Sequence, residues 1–136
     1  KNGDLLLNMR NYTDDRLRKL SISKDQGISW GDIFSDESLI EPICQASMIN
    51  IHRPFKKELL AFSNPNSKNA REKMTIQFSL DQAETWSQKI LIHEGPSAYS
   101  NLVQLSNNEI ACLFEGGIKS AYEGIAFKKI KIRDIK

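Results

Sequence analysis

Apolar and polar positions alternate in short runs along most of this chain, and each run is closed by residues that favour turns. A period of two places every second side chain on the same face of an extended strand. On this pattern ten strands are expected, at about 4–10, 16–22, 30–35, 43–51, 58–63, 73–79, 86–92, 98–105, 109–115 and 124–132. No stretch holds a helical period for three turns. Asn64-Pro65-Asn66-Ser67, Glu94-Gly95-Pro96-Ser97 and Ser106-Asn107-Asn108 read as turns.

The strand order repeats. If four successive strands are called A to D, residues 43–51, 58–63, 73–79 and 86–92 make one complete set. The set before it (4–10, 16–22, 30–35) lacks A, and the set after it (98–105, 109–115, 124–132) lacks D. One octapeptide marks the C–D turn in both sets that have one. Ser23-Lys24-Asp25-Gln26-Gly27-Ile28-Ser29-Trp30 and Ser79-Leu80-Asp81-Gln82-Ala83-Glu84-Thr85-Trp86 share the pattern S-x-D-x-(G/A)-x-(S/T)-W. Such a repeat is the signature of an array of one supersecondary unit. The fold class is therefore all-β. Four-stranded antiparallel blades of a β-propeller fit best, with repeats at about 1–42, 43–97 and 98–136. A sandwich also fits the strand spacing.

The octapeptide reads as a structural lock. Its Asp (Asp25, Asp81) accepts hydrogen bonds within the turn. Gly27 suits a positive φ, and Trp30 and Trp86 are expected to pack on the sheet. Ala83 stands where the first copy has glycine, so the second turn is expected to be less tight.

Composition narrows the function. Hydrophobic residues make up 40% and charged residues 26%, as in a globular chain. A net charge of +2 is too small to argue for nucleic acid or an anionic membrane, and no nucleic-acid partner is expected. Lys128-Lys129-Ile130-Lys131-Ile132-Arg133 alternates as a strand with one wet face. No apolar run is long enough to span a membrane. Cys44 and Cys112 read as buried thiols. His52 and His93 have no metal-ligand spacing, so neither a metal nor a cofactor is expected. Asn11-Tyr12-Thr13 matches a glycosylation sequon by chance or stays unmodified.

Up-and-down topology then groups four polar residues. The start of A, the end of B and the start of C share one end of a blade, opposite the C–D turns. Arg10 ends a B strand, Arg71 precedes a C strand, Tyr99 opens an A strand and Glu115 ends a B strand. All four fall at the end away from the octapeptides. Two guanidiniums there suit a carboxylate, which Arg holds through charge-assisted forked hydrogen bonds.

These residues resemble a known family. The octapeptides look like the Asp boxes of sialidases (neuraminidases). The order Asn8-Met9-Arg10-Asn11, Asp box, Cys44-Gln45-Ala46-Ser47, Arg71, Asp box, Gly95-Pro96-Ser97-Ala98-Tyr99-Ser100, Leu113-Phe114-Glu115 is similar to the C-terminal half of exo-α-sialidases. Tyr122-Glu123-Gly124-Ile125-Ala126-Phe127 resembles the family's last strand. The resemblance implies a six-bladed propeller that hydrolyses terminal α-linked sialic acid with retention of configuration. It also implies that Arg10 and Arg71 are the second and third carboxylate-binding arginines. Tyr99 would be the nucleophile, and Glu115 the glutamate that orients the first arginine. A phenol suits this role, because an anionic nucleophile would be repelled by the sugar carboxylate. The implied partners are sialylated glycans and the missing N-terminal half of the propeller, in a secreted or periplasmic protein.

The family's first arginine, its Asp acid/base and the Glu that activates the tyrosine have no counterpart at matching positions here. That Glu would fall just before Lys1. The chain is thus expected to be roughly the last half of a larger enzyme, marginal or oligomeric by itself because its edges are open. The competing readings are a non-catalytic, lectin-like sialic-acid-binding module and a structural Asp-box propeller.

Overall fold

The computed structural model describes residues 3–135; Lys1, Asn2 and Lys136 lie outside it. The described residues hold nine strands and no helix. They are β1 (Leu5–Met9), β2 (Leu17–Ser23), β3 (Phe34–Ile40), β4 (Ser47–Ile51), β5 (Leu59–Pro65), β6 (Glu72–Ser79), β7 (Gln88–Ser106), β8 (Glu109–Gly116) and β9 (Gly124–Lys131). All pair antiparallel with their sequence neighbours, β1-β2-β3 in one sheet and β4 through β9 in the other.

The alternation gives nearly the expected strands. Residues 43–46 lie outside any strand, so β4 is shorter than the expected 43–51, and Asn64 and Pro65 end β5, paired with Thr75 and Met74, rather than opening a turn. Two larger corrections remain. The segments 86–92 and 98–105 belong to one strand of 19 residues, β7, whose first half pairs with β6 and whose second half pairs with β8. Glu94-Gly95-Pro96-Ser97 is not a turn but the crossing between the two pairings. Pro96 has no N–H to contribute, and its carbonyl accepts from Gly117 N at 3.1 Å. Ser97 N donates across to Arg71 O at 2.8 Å. A Cβ on Gly95 would stand 3.0 Å from Gly117 O, so a side chain here would push that carbonyl back and loosen the crossing. The second correction concerns 30–35. Trp30 to Ile33 lie outside any strand, and β3 starts at Phe34. Gly31 N donates to Ile22 O (3.0 Å) while Ser21 Oγ donates to Gly31 O (2.8 Å), and these bonds tie the segment down before the β2–β3 ladder begins.

The main core runs through β4 to β9, from Ile51 and Leu59 through Met74, Ile76 and Phe78 to Leu102, Ile110 and Ile130. A second cluster, Leu20, Leu39, Phe62 and Trp86, joins the three-stranded sheet to it. The sheets do not close into a ring. Leu5, Leu7 and Phe34 are exposed on the first sheet, as are Val103, Leu113 and Phe127 on the last three strands. Among the described residues no helix is long and apolar enough to cross a membrane.

Candidate active site

The two octapeptide turns follow β2 and β6 and are built alike. In the first, Ser23 Oγ bonds Asp25 Oδ1 (2.8 Å) and accepts from Gly27 N (2.7 Å), and Ser29 N and Oγ donate to the two Asp25 oxygens (2.9 and 2.5 Å). In the second, Ser79 Oγ bonds Asp81 Oδ1 (2.7 Å) and accepts from Ala83 N (2.9 Å), while Thr85 N and Oγ1 donate to Asp81 (2.9 and 2.5 Å). These donors, the Ser29 and Thr85 hydroxyls first, hold both carboxyls at a pKa of about 2. Ala83 takes φ 71° where Gly27 takes φ 93°, so the second turn is no looser and its alanine bears the strain. The two tryptophans differ. Trp86 is buried against Phe62, with ring centroids 5.8 Å apart, but Trp30 remains 43% exposed.

The other end of the strands holds the four residues singled out from the sequence. Arg71 stands just before β6. Its Nη1 donates to Tyr122 Oη at 2.6 Å, its Nη2 donates to Ile43 O at 2.9 Å, and its Cζ lies 5.8 Å from the centre of the Tyr99 ring. That distance is within cation–π range. Tyr99, in β7, is 44% exposed, and its backbone N–H donates to Glu115 Oε2 in β8 at 3.1 Å. Arg71, Tyr99 and Glu115 are thus neighbours. Arg10 turns instead to Tyr12, donating from Nη2 to Tyr12 Oη at 2.7 Å with its Cζ 5.2 Å from the ring centre. Burial pushes the Cys44 thiol pKa up, and Arg71 and Arg10 both pull against that rise. A shallow hollow of 280 Å³ opens beside Tyr99, lined by Gln45, Ser100, Glu115 and Ile125 among others.

The sequence of the chain has relatives along nearly its whole length. A family model described as "BNR repeat-like domain" matches residues 1–112. A sialidase of Bacteroides fragilis is 35% identical over 98% of this chain and 25% of its own length. A sialidase of Micromonospora viridifaciens is 31% identical over 88% of this chain and 19% of its own. The chain belongs to the sialidase family. Among solved structures, a Hadza microbial sialidase, Hz136, superposes with a TM-score of 0.83 at 34% identity, covering 96% of this chain and 25% of that one. The sialidase chain in hand therefore spans about a quarter or less of these relatives.

Sequence reasoning gave no role to several residues that build this region of the sialidase chain. Gln45 brackets Ser100, accepting from its N–H (2.9 Å) and donating to its carbonyl (3.0 Å), and so fixes the backbone next to Tyr99. Ser63 Oγ and Ser100 Oγ bond at 2.8 Å beneath it. Glu123 accepts three backbone N–H bonds from Ile118, Lys119 and Ser120 (2.8–3.1 Å), which lower its pKa and fold the loop that carries Tyr122. Ile43 has φ 55°, a region costly for a β-branched residue, and its carbonyl receives Arg71. Arg18 offered a signal: it lies in phase with buried Leu20, an arginine on the core side of its strand. The Asn11 carboxamide is used within the fold, donating to Leu17 O and Glu41 Oε1 and accepting from Thr13, which leaves it poorly placed to carry a glycan.

Proposed function

We propose that this chain is part of an exo-α-sialidase of six-bladed propeller form, with about 1–42, 43–97 and 98–136 as successive blades. The enzyme releases terminal sialic acid from glycoconjugates, in a secreted or periplasmic setting where such glycans occur. The observation that carries this reading is the Arg71–Tyr99–Glu115 neighbourhood in a chain of the sialidase family. Arg10 and Arg71 grip the sugar carboxylate, releasing the Tyr12 and Tyr122 hydroxyls that now occupy them. Tyr99 Oη attacks the anomeric carbon as the aglycone oxygen departs with a proton from an acid. The phenol proton passes to a base, because an unassisted phenol ionises only near pH 10. Water then displaces Tyr99, and two inversions give net retention. The acid, the base and the first carboxylate-binding arginine come from outside this chain. Glu115 holds the Tyr99 backbone and orients that arginine.

The test uses the native-length protein and an aryl α-sialoside. Tyr99→Phe should remove most hydrolysis while the fold survives, and undiminished turnover in that variant rules out the assigned nucleophile. Free sialic acid bound without turnover, and lost in Arg71→Ala, would make the protein a lectin-like module. No binding at all would leave a structural propeller.

A further inference from the structure

Between the Arg10 segment and Cys44 lies a buried ion pair. Arg18 (3% exposed) and Glu41 (1% exposed) meet at 2.6 Å between Nη1 and Oε2. Arg18 Nε donates to Asn8 Oδ1 (2.6 Å) and Nη1 to Cys44 O (2.8 Å). Glu41 Oε1 accepts from Asn11 N (3.0 Å), and Oε2 accepts from Cys44 N (3.4 Å). A buried pair of this kind is weak evidence for stability, since desolvating two charges offsets their attraction. Its placement is more informative. Asn8 and Asn11 flank Arg10, while Cys44 follows Ile43, whose strained carbonyl holds Arg71 Nη2. One carboxylate and one guanidinium therefore tie the segment that carries Arg10 to the segment whose Ile43 carbonyl receives Arg71. Being neutral as a pair, they do this without adding net charge beside the two arginines.

We propose that Arg18 and Glu41 are positioning residues that fix the separation of the Arg10 and Arg71 guanidiniums, so that both meet a single carboxylate. This rests on the sialic-acid reading above. Glu41 splits its two oxygens between the segments, which would otherwise move independently. The strained Ile43 would relax if the Cys44 N–H lost its acceptor, carrying its carbonyl away from Arg71.

The test measures binding of N-acetylneuraminic acid and of its methyl ester to the native-length protein, unsubstituted and in two variants, with thermal melting alongside. Glu41→Gln keeps the shape but leaves Arg18 uncompensated. The double change Arg18→Met with Glu41→Leu removes both charges and should fold, as apolar replacements of buried pairs commonly do. We expect the preference for the acid over the ester to fall about tenfold in each folded variant, as when a charge-assisted contact is lost. In the double variant this should occur even with an unchanged melting point. A purely structural role would lower the melting point and leave the acid-to-ester ratio intact, and a double variant whose ratio stays within about twofold of the parent overturns the proposal. So does failure of both variants to fold, which would make the pair a folding element. If the unsubstituted protein shows no preference for the acid, the sialic-acid reading itself fails, visibly and before any variant is examined, and this inference falls with it.

Discussion

The tryptophans of the two Asp boxes occupy the same motif position and differ in burial, which gives an internally controlled test of the packing argument. Trp86, 5% exposed, joins Leu20, Leu39 and Phe62; Trp30 is 43% exposed and belongs to none of the core clusters. An aromatic side chain buries roughly 150–250 Å². At about 25 cal/mol per Å² full burial is worth about 4–6 kcal/mol, an upper bound because the unfolded chain is not fully extended. Trp86→Ala should then cost about 3–5 kcal/mol. Trp30→Ala loses about half the burial and should cost about 2 kcal/mol. For a domain of this size each kcal/mol moves the melting temperature by about 4 °C, so the Trp86 variant should melt about 8 °C below the Trp30 variant. Trp86→Phe is the control. Its indole N–H is buried without an acceptor among the described residues, so removing it relieves an unpaired donor and should cost about 1 kcal/mol or less. Thermal melting of the 136-residue chain, followed by far-UV circular dichroism, measures all three. Equal losses at Trp30 and Trp86 would refute the assignment of Trp86 as the seam between the sheets.

Three further outcomes follow from the geometry. Gly117→Ala should cost about 1–3 kcal/mol in urea unfolding, because the new Cβ would lie 2.2 Å from Ser120 O and 2.5 Å from Glu123 Oε2, and a neutral result would show that the Tyr122 loop is not so closely held. Asp25 and Asp81 have folded pKa values of about 2, below the roughly 3.9 of an unfolded Asp, so their stabilisation is present above about pH 4 and is lost as pH falls toward 2. Asp81→Asn should flatten the pH dependence of stability in that window only, and an unchanged slope there would count against the turn hydrogen bonds. Cys44 and Cys112 are both buried, and burial pushes the Cys112 thiol up to about 11, so neither should react with an aromatic disulfide at mild pH until the chain unfolds. Fast labelling of the folded chain would contradict this.

Much of the fold was legible because burial of one strand face imposes a period of two, and that period survives in the first half of β2 and the second half of β7, whereas β5 and β6 are buried on both faces. The join within β7 was not, because Gly95-Pro96 has the local chemistry of a turn. Only the flanking carbonyls and amides of Arg71 and Gly117, distant in sequence, make it a crossing. The exposed Trp30 and buried Trp86 could not be separated either, since the octapeptide is the same and the difference lies in which sheet stands beside it. In the candidate site, topology and resemblance singled out Arg10, Arg71, Tyr99 and Glu115; the last three are neighbours, while Arg10 turns to Tyr12. Gln45 and Glu41 act on backbone groups 55 and 30 residues away, and nothing in the local sequence announces such bonds.

The continuity of β7 also sets how the molecule can come apart. Its halves share one backbone, and a single core runs from β4 to β9, so those six strands cannot separate without breaking a strand in the middle. The three-stranded sheet is held to them by the cluster around Phe62 and Trp86, the polar ties near Glu41 and the Asn64 carboxamide on Ile40 O. Local opening should therefore be hierarchical. In native-state hydrogen exchange the amides of β1 to β3 should exchange as a low-energy unit, while those of β5 to β8 wait for global unfolding. On the proposed function Arg10 rides on the first unit while Arg71 and Tyr99 belong to the second, so the carboxylate site would be disassembled at the molecule's weakest joint before the remaining strands are lost.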